Sequence, residues 1–193
     1  MSTAVAAAAG AVGVSSDTTT TSTAPTTTSG TAGATHTTTR AGGRSAWYWR
    51  RHVERYQAGT QRWLTVIHGQ PARAHSRSRT LVSHASAAQL RQQAKVWRAR
   101  EHAAWWRATH PPLLRDWNCI HQYEGSWTDH GAPYWGGLQM DYSFQSTYGG
   151  WLLRHKGTAD HWTSFEQIWT AVRAWRVRGF SPWPNTARDC GVY

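Results

Sequence analysis

The chain reads as α+β and mostly helical, a small domain with one short β element behind a basic helical segment and a disordered N-terminus. Three observations predict this. Apolar residues recur at helical spacing in several separate runs beyond residue 45. One cluster of turn-forming residues lies between aromatic residues, at 128–140. The first forty residues are almost wholly Ser, Thr, Ala and Gly, with Asp17 and Arg40 as their only charges, too polar to offset the entropy of ordering. At 193 residues and 39% apolar content, the chain can bury one substantial core.

In order, residues 1–45 form a Ser/Thr/Ala-rich segment. Residues 3–14 are like the apolar part of a secretory signal, but no Lys or Arg precedes Arg40, so export is expected through a truncated or atypical signal. Residues 15–45 read as a flexible linker and a candidate for O-glycosylation. Residues 46–110 are a Trp/Arg-rich helical segment. Trp49, Val53 and Tyr56 share one face, and Gly59 is expected to interrupt the helix. Residues 68–80 have no apolar period and read as loop. Ser86 and Gln89 fit a capping box, and Leu90, Ala94, Trp97 and Ala104 continue one face until Pro111 and Pro112.

Residues 111–193 form the third segment. Pro111 and Pro112 suit a first helical turn; Leu113, Trp117, Ile120 and Glu124 then fall at i, i+4, i+7 and i+11, and Gly125 is a stop. Residues 128–140 read as turns or a short hairpin, and Gly149-Gly150 as a further loop. Residues 164–178 form a helix capped by Ser164 and Gln167, with Ile168, Val172 and Trp175 on one side and Gly179 at its end.

The net charge of +11 sits in the middle third. Residues 1–40 and 111–193 each sum to zero, whereas 41–110 carry 13 Lys and Arg against Glu54 and Glu101. Such a block suits an anionic polymer (teichoic acid, nucleic acid or a membrane surface), the alternative being a merely solvated face. No nucleic-acid motif accompanies the charge, and no run approaches 18 apolar residues, so no membrane span is expected. Cys119 and Cys190 are an even pair flanking one domain, which reads either as a disulfide in an oxidising compartment or as two buried thiols.

The run Trp117 to Met140 carries the chemistry. Glu124 ends a helix among Tyr123, Trp127, Tyr134 and Trp135. The negative end of the helix and desolvation by rings both oppose ionisation, as a general acid requires. His121 and Glu124 are at i and i+3, but no histidine is paired with cysteines at zinc spacing, so neither a metal nor any other cofactor is expected.

These residues carry a family resemblance. Residues 113–190 resemble the catalytic domain of the resuscitation-promoting factors, a lysozyme-like, transglycosylase-like domain of secreted actinobacterial proteins. The counterparts are Trp117, Tyr123-Glu124-Gly125-Ser126-Trp127, Tyr134-Trp135-Gly136-Gly137-Leu138-Gln139-Met140, Gly149-Gly150, Glu166-Gln167-Ile168, Gly179-Phe180 and Trp183-Pro184. The family's cysteine before the glutamate is Tyr123 here, and its closing cysteine is Thr186. Cys119 and Cys190 have each moved by four residues, as a relocated disulfide would. Phe144-Gln145 and Arg178 also depart from the family, which bears on substrate contacts.

The resemblance implies a secreted or wall-associated enzyme, expected to act as a monomer on peptidoglycan glycan strands at the bond from N-acetylmuramic acid to N-acetylglucosamine. Glu124 would be general acid and base. Trp127, Tyr134, Trp135, Gly136, Gly137, Gln139 and Trp151 would line the cleft. A hydrolytic muramidase would need a second carboxylate, Asp129 or Asp141; without one the lytic transglycosylase route is favoured. Residues 41–110 would hold the enzyme near anionic wall polymers. The alternatives are a non-catalytic wall-binding module of the same fold and a basic nucleic-acid-binding protein.

Overall fold

Ser45 starts the first helix by accepting a hydrogen bond from the Tyr48 amide, and α1 then runs Ala46–His68. The computed structural model describes residues 44–72 and 85–192; the expectations for the signal-like run and linker, and those for 73–84, lie outside them. Gly59 does not interrupt α1. It is buried where the Glu101 side chain crosses from the next helix, and a Cβ there would collide with that carboxyl group. The roughly 1 kcal/mol that glycine costs a helix is traded for close approach. Gly69, left-handed at φ 71°, ends α1.

Helix α2, Ala87–Thr109, begins with the capping box that Ser86 and Gln89 predict. Val53 packs with Leu90 and Ala94, while Gly59 meets Glu101 further along, so contacts advance in the same direction on both helices. They run parallel, each spanning roughly 34 Å at 1.5 Å per residue.

Pro111 and Pro112 precede the third helix instead of forming its first turn. The Trp117 indole donates to the Pro112 carbonyl (3.0 Å) and holds the turn, and Leu113, left-handed at φ 59°, becomes the N-cap. Helix α3 is Leu114–Glu124. Trp117 and Ile120 are wholly buried, whereas Leu113 lies outside the helix and is exposed. The β element is an antiparallel pair, β1 Tyr134–Trp135 and β2 Met140–Asp141, with Trp135 opposite Met140.

Asp141 caps α4, Tyr142–Lys156, by accepting from the Phe144 amide (2.7 Å). Gly149 and Gly150 are not in a loop but inside α4, where the backbone kinks at Gly149. A Cβ on Gly149 would stand 2.6 Å from Trp162, so the glycine admits that ring. A short 3-10 turn, Ala159–His161, leads to α5, Ser164–Arg178. Its capping box uses Thr163 and Glu166, one residue before the pair expected from the sequence, because Gln167 is employed elsewhere. Helix α6, Pro184–Asp189, follows.

Helix α5 is the centre of the core. Ile168, Val172 and Ala174 are buried among Trp117, Ile120, Leu138, Leu152 and Trp183, and Val66 and Ala108 from α1 and α2 join the same cluster. Trp169 donates its indole N–H to the Ala108 carbonyl (2.9 Å). Arg173 donates to Ile67 O, Tyr148 O and Thr170 Oγ1. Burial, with Arg176 nearby, lowers Arg173 well below the usual arginine value, to about 10. The folded value lies below the unfolded one, so burying this cation costs stability at neutral pH and the cost fades only as pH rises above 10; the three hydrogen bonds offset it. No helix of the described residues is long and apolar enough to cross a membrane.

Cys119 and Cys190 are disulfide-bonded, joining α3 to the chain just beyond α6 across 71 residues of sequence. Closing so long a loop is expected to contribute about 4 kcal/mol in the chain-entropy account. The double variant Cys119→Ser/Cys190→Ser should lose about that much in urea unfolding at pH 7; a loss under 1 kcal/mol would show that packing alone fixes α6.

Candidate active site

Glu124 is the last residue of α3, and its position depends on glycine immediately after it. Gly125 has φ 145° and ψ −168°, a region that side chains rarely enter, and its amide donates back to His121 O (3.1 Å). A Cβ on Gly125 would sit 3.3 Å from Gln139 Nε2 and 3.4 Å from Asp129 Oδ2. The glycine thus brings Gln139 and Asp129 beside the residue that follows Glu124.

The Glu124 carboxylate is half-buried, and its Oε1 accepts from the Thr186 hydroxyl at 2.8 Å. Among the described residues Oε2 takes no hydrogen bond, and no cationic side chain pairs with the group. The aromatic surround differs from expectation. Tyr123 and Tyr134 are exposed, and Trp127 stacks on His121 with ring centres 3.9 Å apart. Thr186, on α6, is the neighbour that holds the acid. The disulfide lies four residues beyond it and pins the two helices together.

The other two carboxylates have structural duties. Asp141 caps α4. Asp129 Oδ2 accepts from Gln139 Nε2 (2.7 Å), and its Oδ1 accepts from the Gly131 amide (3.3 Å).

Beside these residues the β1–β2 turn is held by side chains on four other elements. Gly137 N–H donates to Gln167 Oε1 (2.9 Å), and Gly137 O bonds His121 Nδ1 (3.1 Å). Leu138 O accepts from the Trp183 indole (2.8 Å) and Met140 O from Gln145 Nε2 (2.7 Å). Gln167 Nε2 also reaches Trp127 O and Ala159 O, both at 2.8 Å. Gly136 and Gly137 are required by this crowding. A Cβ on Gly136 would overlap Gln167 Oε1, and one on Gly137 would lie 2.7 Å from the Trp127 ring. Gln139 leaves the turn in a left-handed conformation, φ 46°, which aims its amide at Asp129 and Gly136 O.

The structure therefore assembles Trp127, Gly136, Gly137, Gln139 and Asp129 in one contact network next to Glu124. Trp135 is half-buried against the core. Trp151 lies on α4 and stacks on His155 at 4.3 Å; among the described residues no hydrogen bond or ring contact links it to the turn. A surface depression of about 590 Å³ lies on α3 near the disulfide, lined by Leu114, Arg115, Asn118, Cys119 and Gln122. Glu124 is not part of its lining, so that hollow is not assigned to the chemistry. Among the described residues no three His, Cys, Asp or Glu side chains are grouped to hold a metal ion.

Sequence reasoning missed Thr186 and Gln145, seen only as departures from a pattern, and gave Gln167 a capping role. For Gln167 the signal is an amide on an otherwise buried helix face: Gln167, Ala171 and Ala174 lie at i, i+4 and i+7, all with no exposed surface. Gln167→Leu keeps the volume but strands the Gly137 amide and the carbonyls of Trp127 and Ala159. A loss of about 3 kcal/mol or more is expected, with faster hydrogen exchange at Gly137. An unchanged Gly137 exchange rate would refute the clamp.

No protein-family model matches the chain, and a search of the curated proteins finds no relative.

Proposed function

We propose that this chain is an extracytoplasmic peptidoglycan-cleaving glycosidase that works as a lytic transglycosylase, with Glu124 as acid and then base. One observation carries the reading. Of the three carboxylates in or beside the site, Asp129 commits both oxygens to Gln139 and Gly131 and Asp141 caps α4 through Oδ1, whereas Glu124 is half-buried and, among the described residues, accepts only from a side chain, Thr186. Glu124 is thus the one of the three that holds no backbone in place, which suits a reaction that needs no second carboxylate.

Protonated on Oε2, Glu124 gives its proton to the glycosidic oxygen as the bond from C1 of the muramic acid residue breaks. The resulting carboxylate takes the proton of that sugar's C6 hydroxyl, and the C6 oxygen closes on C1 to leave a 1,6-anhydro ring. Thr186 is a positioning residue. Its hydroxyl can donate to Oε1 whether or not Oε2 carries a proton, so the carboxyl group keeps one orientation through both steps. The half-buried rings of Trp127 and Trp135 and the amide of Gln139 fit the apolar faces and hydroxyls of a glycan. The disulfide supports placement outside the cytosol.

Purified walls digested with the full oxidised chain should release anhydromuropeptides, identified by mass spectrometry, and Glu124→Gln should release none while keeping its melting temperature. Reducing-end products would replace the transglycosylase route with hydrolysis. No products from the parent would leave a wall-binding module. Thr186→Val is expected to slow release about tenfold or more and shift its pH profile, with Thr186→Ser restoring both; an unshifted profile would reduce Thr186 to packing.

A further inference from the structure

Away from Glu124, the parallel pair α1 and α2 carries nine Lys and Arg against Glu54 and Glu101. Part of that charge converges on one groove of about 520 Å³ between the helices. Arg55 and Arg62 reach it from α1 and Arg98 from α2, over walls made by Tyr56, Trp63 and Trp105. Among the described residues none of these three arginines forms an ion pair, although Glu101 and His102 share the groove. The Glu101 carboxyl group is turned against Gly59 of α1. Three exposed guanidinium groups gathered along one groove, none in an ion pair among the described residues, create a local positive potential that attracts anions.

We infer that this groove binds a phosphodiester polymer, and that the polymer is a polyol phosphate of the cell envelope. The arginines supply planar, forked donors that match phosphate oxygens. Two of them already lie over rings of their own helix: Arg55 Cζ is 4.9 Å from the centre of Tyr56, and Arg62 Cζ is 5.0 Å from the centre of Trp63. That stacking holds the guanidinium groups in place and covers one face of each ring. Trp105 keeps an exposed ring in the groove, so stacking alone does not separate a polyol phosphate from single-stranded nucleic acid, and the choice falls to the compartment. The disulfide adds a compartment in which envelope polymers, not nucleic acid, are the abundant polyanions. The choice of polymer rests on the wall-enzyme reading above; the phosphate-binding groove does not.

The test measures binding of poly(glycerol phosphate) to the full-length Glu124→Gln chain, so that cleavage plays no part. A single-stranded oligonucleotide of equal charge, anionic phospholipid vesicles and uncharged dextran serve as comparisons. Affinity for the polyol phosphate should fall about a hundredfold for a tenfold rise in salt, as three phosphate contacts imply. Arg55→Gln/Arg62→Gln/Arg98→Gln should weaken it at least tenfold. The matching triple lysine variant should keep most of it, and Arg154→Gln/Arg176→Gln/Arg178→Gln, equal in charge but elsewhere, should leave it within twofold. Equal losses from both glutamine triples would overturn the groove in favour of net charge alone. Groove-dependent binding that is tighter to the oligonucleotide or the vesicles would overturn the polymer assigned. Groove-dependent binding by a chain whose parent releases no muropeptides would keep this inference and remove the enzyme reading.

Discussion

The buried amide of Gln167 is the constraint on which the site depends. It has no exposed surface, and it spans from α5 to the β1–β2 turn, the loop after Glu124 and the 3-10 turn. A two-residue strand pair cannot hold itself together in water. Here its carbonyls and amides are satisfied by Gln167, Gln145, His121 and Trp183, so the turn is fixed by tertiary hydrogen bonds rather than by its own ladder. In a low-dielectric interior each bond is strong and each missing partner is costly. That cost restricts the turn to one conformation and Gln139 to one direction.

A second fixed point is the junction of α3 and α6. The disulfide and the Thr186–Glu124 hydrogen bond both join these two helices, on either side of one packed contact. The cross-link meets α3 at Cys119, so the place directly before Glu124 belongs to Tyr123, which is exposed, and position 186 carries a hydroxyl. A thiol committed to a disulfide could not donate to a carboxylate; a threonine can. The cross-link and the Thr186 contact thus brace one junction at two points.

Much of this was legible in the sequence. The capping box at Ser86 and Gln89, the Trp117–Ile120 face and the glycine stops at 125 and 179 are local patterns, and local patterns determine helices. What misled was glycine. Gly59, Gly149 and Gly150 read as breaks because the conformational cost of glycine is visible in sequence, while the reason to bear it is not. Glu101 and Trp162, the partners that need the missing Cβ at 59 and 149, are 42 and 13 residues away. Glu124 could be singled out because an acid before glycine and among rings is rare. Thr186 could not, since a threonine 62 residues downstream carries no mark of what it will touch.

The parallel course of α1 and α2 was also invisible, and it poses an electrostatic problem. Two parallel helices place like macrodipole ends side by side, and here both are cationic. Helix α5 answers at one end only. Arg173 donates to Ile67 O in the last turn of α1, and Trp169 donates to Ala108 O in the last turn of α2. These carbonyls have no partner within their helices, so both negative ends are satisfied by neighbouring residues of one rigid element. In the groove, Arg55, Arg62 and Arg98 form no ion pair among the described residues. A polyanion in the groove would lower their mutual repulsion, and by linkage any ligand that binds the packed pair alone also stabilises it. In this arrangement α5 sets the geometry of the Glu124 site through Gln167 and anchors the cationic helices through Trp169 and Arg173. The two surfaces therefore share a scaffold without sharing a side chain.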